Sequence, residues 1–434
     1  MTHRPPPIHN TANGWRASFP ALQHRDFRIL WFGMFFSSAT MMFQFYAQGW
    51  FILGLAGSAG LLGVLGVARG AGMLVFSLWG GALADRMDRR RLLMVTQSAA
   101  ICVFGLLSTL ILLDRINLWG AFALIFVAAA VESMDGPTRQ ALLPHLVPRE
   151  HIPNAVALFT AAGVSSYAFL PPMAGLAIET IGSGGAFAIS IFGHAAVIVA
   201  LLLMRSDAVP AARPGENLVK SIGLGVQYAS ARPNVLWVIV FSLLLGTLGF
   251  PIITTLAPFW MKNELGLSAG GWTLMGWIWG LGTVVSTVYL SIQKSGRRHG
   301  RMVIISIVGF AGTLIVFGLT RWLPLAALMW ALNGTFFTAN MISVSSLLQS
   351  IVESRFIGRV MSLRLISGAC SQFAAAPLGA IADGVGIGRM VPAAAALLAF
   401  CVLGPAALAP GARRLDPQDP DGGSAVEPVV VRAS

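Results

Sequence analysis

The sequence predicts an all-α polytopic membrane protein: twelve transmembrane helices in two pseudo-symmetric six-helix bundles. Three observations predict it. Of the 434 residues, 56% are hydrophobic and only 11% charged, whereas about a quarter of a soluble globular chain is charged. Apolar runs recur along the chain, each about twenty residues and so long enough to cross a ~30 Å hydrocarbon layer. Segments of the two halves also match in the same order at nearly one offset. Barrel strands would read as alternating ten-residue segments, and these do not occur.

The elements follow in order. Residues 1–28 form a cytoplasmic arm, and residues 1–24 carry no signal peptide, since the first apolar run is too long and lacks a small-residue cleavage site. A first bundle occupies 29–204, with spans at 29–52, 59–84, 92–113, 118–139, 153–178 and 185–204. A polar, proline-containing linker covers 205–233. A second bundle occupies 234–410, with spans at 235–260, 270–292, 302–320, 323–346, 360–382 and 390–410. The tail, 411–434, is rich in Pro, Asp and Gly and is expected to be disordered.

Basic residues orient the spans. With the N-terminus inside, the inner segments hold 24 Lys and Arg and the outer loops only Arg115, Lys262, Arg321 and Arg389. That bias places both termini in the cytoplasm, and the protein in the inner (plasma) membrane, in contact with lipid. The formal net charge of +12 therefore marks cytoplasmic retention rather than a nucleic-acid partner, because the cations lie in short clusters between apolar runs. Cys102, Cys370 and Cys401 fall inside apolar runs, so neither a disulfide framework nor metal ligation is expected.

The halves resemble each other. "LVPREHIPNAVAL" (146–158) overlays "IVESRFIGRVMSL" (351–363) at an offset of 205, and "GLAIETIG" (175–182) overlays "GAIADGVG" (379–386) at 204. "DRMDRRR" is echoed by "QKSGRRHGR". An even number of spans per repeat gives parallel repeats about an axis along the membrane normal.

"GGALADRMDRRR" (80–91) ends the second span. Asp85 stands at a helix C-terminus, where an anion alone is unfavourable. It therefore calls for a partner such as Arg89, Arg90 or a helix N-terminus in the other half. Gly81, Asp85, Arg86, Arg89 and Arg90 read as a conformational latch that breaks when the halves rock; a plain topological stop is the alternative. Asp88 takes a turn position at which a non-glycine residue resists positive φ.

Charge within hydrocarbon costs at least ~2.5 kcal/mol on insertion scales, so ionisable residues inside spans stand out. They are Arg69 in span two and Glu132 and Asp135 in span four. Glu132 and Asp135 are three apart and share a helix face, at a depth within reach of Arg69. They read as carriers of a coupling proton, burial favouring the protonated carboxyl and Arg69 opposing it; a structural ion pair, or carboxylates simply reaching the cytoplasmic interface, is the alternative. In span five, "SYAFLPPMAG" bends the helix at Pro171 beside the small Gly175; Pro377 and Gly379 repeat this in the second half. Ser37, Thr40, Gln44 and Gln48 form a polar stripe in span one. Thr247, Pro251 and Thr254 follow the same spacing in span seven. In span ten, Asn333 and Asn340 flank Phe337. These stripes read either as a passage or as helix–helix hydrogen bonding. Their Phe, Met and Trp borders suit an amphipathic small molecule.

These residues carry a family resemblance. "GGALADRMDRRRLL" resembles the loop between spans two and three of the major facilitator superfamily, roughly G-x-L-x-D-R-x-G-R-R; Gly81, Leu83, Asp85, Arg86, Arg89 and Arg90 fit, and Asp88 replaces the second glycine. "GPTRQALLPHLVPREHIPNAVAL" and "FRILWFGMFFS" resemble segments of its branch of enterobactin and drug exporters. "SYAFLPPMAG" partly fits the exporter-associated G-x-x-x-G-P-x-x-G-G. The resemblance covers about residues 25–405. It implies the major facilitator fold, a cavity lined by spans one, four, seven and ten, and rocking of two halves about a midplane site. The stripe residues Gln44, Gln48, Thr247, Thr254, Asn333, Phe337 and Asn340 would then share that cavity.

No G-x-x-x-x-G-K-[ST] segment is present, and the linker is too short for a nucleotide domain, which argues against an ATP-driven pump. No catalytic triad or metal spacing points to an enzyme, and no cofactor is expected. The expectation is a monomeric secondary carrier that exports an amphipathic drug-like compound or siderophore, coupled to protons. Uptake of a small solute and a non-transporting scaffold or lipid-handling role are the alternatives.

Overall fold

A computed structural model describes residues 19–84, 88–205, 218–292, 299–353, 356–409 and 415. The order begins with α1 (Arg25–Ala56), α2 (Ala59–Ala84), α3 (Arg89–Leu112), α4 (Leu118–Glu132), α5 (Asp135–Leu142), α6 (Ile152–Phe169), α7 (Pro171–Leu203) and α8 (Leu218–Ser230). It continues through α9 (Pro233–Leu244), α10 (Ala257–Leu265), α11 (Ala269–Ile292), α12 (His299–Leu319), α13 (Leu323–Ile351), α14 (Ile357–Val385) and α15 (Ile387–Leu408). Every span expected from the sequence falls on one or two of these helices. Among the described residues, eight helical stretches are long and apolar enough to cross a membrane. Large apolar side chains face outward: Phe192, Ile292, Phe400 and Leu408 are 74, 75, 73 and 87% exposed. Hydrocarbon, not water, is the solvent such faces require. The chain is a multi-pass helical membrane protein.

Local chemistry sets the helix ends. Asp88 caps α3, its side chain accepting from the Arg91 N–H at 3.0 Å, with φ −57° and ψ 130°. The position therefore needs an N-cap acceptor rather than a left-handed glycine, which corrects the sequence-based expectation of strain there. Asn117 caps α4 through the Gly120 N–H at 2.7 Å. Span four breaks between Glu132 and Asp135; Pro137, two residues on, has no N–H for the Ser133 carbonyl. Leu170 separates α6 from α7, and Pro171 opens α7, where a missing N–H costs nothing. α7 then turns sharply at Gly182, whose φ of 73° joins spans five and six. Two wide π turns, Leu245–Gly249 and Ile252–Leu256, flank Pro251 and link α9 to α10.

Packing divides the described residues into two compact units. The first draws on Met1–Glu216, Pro251–Leu281 and Gln372–Met390, and the second on Asn217–Phe250, Gly282–Ser371 and Val391–Ser434. In the first, α1 packs on α7 and α2 on α4. One apolar cluster gathers Phe27, Leu30 and Met34 with Leu93, Val197 and Leu201. Another gathers Ile52, Leu53, Leu62, Leu65, Phe122 and Ile125. Polar residues of α1 lie between the two clusters. In the second unit α12 packs on α13.

Candidate functional site

The stretch of α1 between those clusters carries Ser37, Thr40, Gln44 and Gln48, all buried. Three other helices, α3, α5 and α7, join it in a continuous chain of polar contacts. Gln44 Nε2 donates to His194 Nε2 at 2.7 Å. His194 Nδ1 in turn donates to Gln97 Oε1 at 2.7 Å. Gln97 Nε2 donates to Asp135 Oδ1 at 2.8 Å. Arg139 closes the chain, pairing with Asp135 Oδ2 at 2.6 Å and donating to Ser37 Oγ at 2.8 Å. Because a glutamine oxygen can only accept and its amide nitrogen only donate, the neighbours fix the His194 tautomer with its hydrogen on Nδ1. Phe104 stacks on that ring at 5.7 Å. Each member answers another's polar group, which lowers the cost of holding such groups inside a bundle; among the described residues only Arg139 Nε in this chain is buried without a partner.

A second cluster lies further along α1. Arg69 Nε donates to Gln48 Oε1 at 2.8 Å, a second guanidinium nitrogen reaches the same oxygen, and the cation sits 5.4 Å from the Phe45 ring centroid. Glu132 lies in the electrostatic field of Arg69, Asp135 and Arg139, and among the described residues its carboxylate accepts no hydrogen bond. Gly72 permits this assembly: a Cβ there would stand 2.4 Å from the Phe126 carbonyl, so α2 and α4 touch backbone to backbone.

The other sequence-chosen residues fall elsewhere. In the second unit, Asn333 donates to Phe310 O and Thr313 Oγ1, and Asn340 to Ser306 Oγ, both within the α12–α13 contact. Phe337 stacks on Phe250 at 5.5 Å. Thr247 donates to Leu243 O in its own wide turn, and Thr254 lies in the other. Gly175 and Gly379 mark close helix approaches: a Cβ would stand 1.9 Å from Thr273 Oγ1 or 2.3 Å from Ala59 O. Pro377 is exposed within α14. Of the 80–91 loop, Asp85 and Arg86 lie outside the described residues, and the surroundings of Gly81 are likewise not described. Arg89 reaches His145 Nε2 at 2.9 Å.

The sequence reading did not select His194, Gln97 or Arg139. His194 is an ionisable residue within an apolar span and falls under the rule that singles out Arg69; Gln97 is a neutral amide, which that rule does not reach. Arg139, counted there among cations of an inner segment, is 5% exposed and buried in the bundle. Among the described residues no cluster suited to a metal ion occurs.

Comparison with known proteins places this architecture. The model of a family described as transmembrane secretion effector matches residues 16–419. The multidrug efflux pump Tap of Mycolicibacterium fortuitum is 24% identical over 348 residues, 77% of this chain and 82% of that one. The enterobactin exporter EntS of Shigella boydii serotype 4 is 23% identical over 352 residues, 78% and 81% of the two chains. The staphyloferrin A transporter of Staphylococcus aureus is 35% identical over 123 residues, 26% of this chain and 30% of that one. Among solved structures, a POT family transporter in complex with 5-aminolevulinic acid aligns with a TM-score of 0.74 at 13% identity, covering 89% of this chain and 96% of that one. The nucleoside transporter NupG aligns with a TM-score of 0.69 at 14% identity, covering 88% and 98%. These likenesses show the fold.

Proposed function

We propose a function from one premise: the chain belongs to the transmembrane secretion effector family, a branch of the major facilitator superfamily. It is an efflux transporter that moves an amphipathic small molecule, a drug-like compound or siderophore, out through the plasma membrane by alternating access, driven by protons. Both termini are cytoplasmic and the monomer is the working unit. The relatives named for efflux and siderophore export support the direction and the substrate class.

The observation that carries proton coupling is the set of ionisable groups inside the first bundle. Asp135 is committed to Arg139 and Gln97. Glu132 stands apart from that chain, within the fields of Arg69 and Arg139. A proton on Glu132 changes the charge beside Arg69 without dismantling the hydrogen bonds that tie α1, α3, α5 and α7 together. Glu132 is therefore the carrier, and Asp135 and Arg139 hold the bundle around it. Each elementary charge driven across 100 mV supplies ~2.3 kcal/mol, enough to concentrate a solute about fiftyfold.

The test is accumulation of a panel of amphipathic compounds and siderophores in a strain lacking the protein, restored by the wild type, with and without a protonophore. Lower accumulation in the restored strain, abolished by the protonophore, is the expected result. Higher accumulation on restoration would overturn export in favour of uptake, and indifference to the protonophore would overturn coupling.

A further inference from the structure

We infer that Glu179 and Asp383 are a matched pair of carboxylate latches, one from each sequence half, that hold the halves together at one end and must release for that end to open. The inference rests on the proposed alternation of two halves and adds to it the residues that set its balance.

Both carboxylates receive the first turn of a helix from the other sequence half, with different donors. Glu179 Oε1 accepts from Ser268 Oγ at 2.6 Å and from the Gly270 N–H at 2.8 Å, at the start of α11. Asp383 accepts from the Ala59 and Gly60 N–H groups, both at 2.8 Å, at the start of α2. A helix N-terminus presents N–H groups without partners and the positive end of its dipole. Each carboxylate supplies the missing acceptor across the divide, from the first half to a helix of the second and from the second to a helix of the first.

The sequence repeats both sides of the contact. Residues 175–182 overlay 379–386, which puts Glu179 on Asp383, Gly175 on Gly379 and Gly182 on Gly386. Each carboxylate thus follows a glycine that admits the opposing helix and precedes a glycine of positive φ, 73° at Gly182 and 87° at Gly386. The receiving helices both begin Ser-Ala-Gly, at 58–60 and 268–270. In both the serine also caps its own helix, Ser58 Oγ accepting from the Leu61 N–H and Ser268 Oγ from the Gly271 N–H, each at 3.2 Å. Those caps remain when the carboxylates leave, so the ends can part without fraying the helices. Both carboxylates are exposed, so water can replace the lost contacts. A device with two repeat-related members, reversible in water and placed on helix ends that cross between halves, has the properties of a gate rather than of a structural core.

The test is a distance measurement between spin labels at Arg115→Cys and Trp322→Cys, in turns that the expected topology puts on the latch side, with Cys102, Cys370 and Cys401 replaced by Ser. In nanodiscs, Glu179→Gln and Asp383→Asn are each expected to raise the ratio of open to closed distances about tenfold. The double variant should raise it by about the product. Ser268→Ala, which leaves both carboxylates in place and removes the hydroxyl bond to Glu179, should shift the ratio a fewfold in the same direction, and it serves if the double variant does not yield monodisperse protein. An unchanged distribution in a monodisperse double variant, or in Ser268→Ala, would overturn the latch. If the wild type exports and samples both distances while the variants do not shift, the latch alone fails. If the wild type neither exports nor samples a second distance, the reading it rests on fails.

Discussion

Replacing Arg139 by Ala tests whether the buried polar chain holds the first bundle together. The Arg139 side chain is 6% exposed and that of its partner Asp135 21%. Breaking a fully buried ion pair costs ~3–5 kcal/mol, because the remaining charge stays desolvated. Asp135 keeps the Gln97 amide and some access to solvent, which lowers the expected cost to ~2–3 kcal/mol. The lost Arg139–Ser37 bond adds only ~0.6 kcal/mol, the mean for such bonds between membrane helices, so the stranded charge dominates. At ~2–4 °C per kcal/mol, the apparent Tm of the detergent-solubilised protein, followed by size-exclusion fluorescence, should fall by about 5–14 °C. The exposed Arg149→Ala is the control and should hardly move it. Asp135→Asn combined with Arg139→Gln removes both charges and should recover most of the loss. A fall no larger than the control's, or a double variant that loses the sum of the two single changes, would refute the reasoning.

Three further outcomes are expected. Gly63→Ala puts a Cβ 2.4 Å from the Ala375 carbonyl and should destabilise by ~1–3 kcal/mol, whereas Gly163→Ala, with nothing within 4 Å, should stabilise by ~0.5–1 kcal/mol; the same melting assay reads both. Asp88→Ala removes the cap of α3 and should cost ~1 kcal/mol, with Asp88→Ser recovering most of it in that assay. Glu132→Gln should leave substrate binding measurable while export no longer responds to an imposed pH gradient in inverted vesicles; a retained response would move the carrier role away from this residue.

Much of the fold was legible because the bilayer imposes a length and a polarity on every crossing, and the apolar runs from Arg25 to Leu408 show both. The breaks were legible where proline marks them, as at Pro171. The one between Glu132 and Asp135 was not drawn, although Pro137 foretold a carbonyl without a partner. That break matters, because the two carboxylates, expected on one continuous helix, sit on separate segments with separate neighbours. Gln44 and Gln48 were picked out by helical spacing, but spacing cannot tell which neighbour a stripe faces. The structure turns Gln44 to His194 and Gln48 to Arg69. Glu179 and Asp383 were already superimposed by the repeat, yet their partners lie some ninety and three hundred residues away in the chain, a separation that no local pattern encodes.

The wide turns on either side of Pro251 alter the phase of everything that follows them. A π turn closes on the fifth residue rather than the fourth, so a helical wheel drawn through Thr247 cannot be carried unchanged to Thr254 or on to Trp260. Each added residue advances the azimuth by about 100° in an ordinary helix. Removing a single residue between Leu245 and Leu256 would let one wide turn close on the fourth residue, absorbing the loss within the turn and leaving α10, with the buried Trp260, close to its present bearing. Shortening by one residue is therefore a milder perturbation here than in a regular helix, where it would swing every later side chain by about 100°.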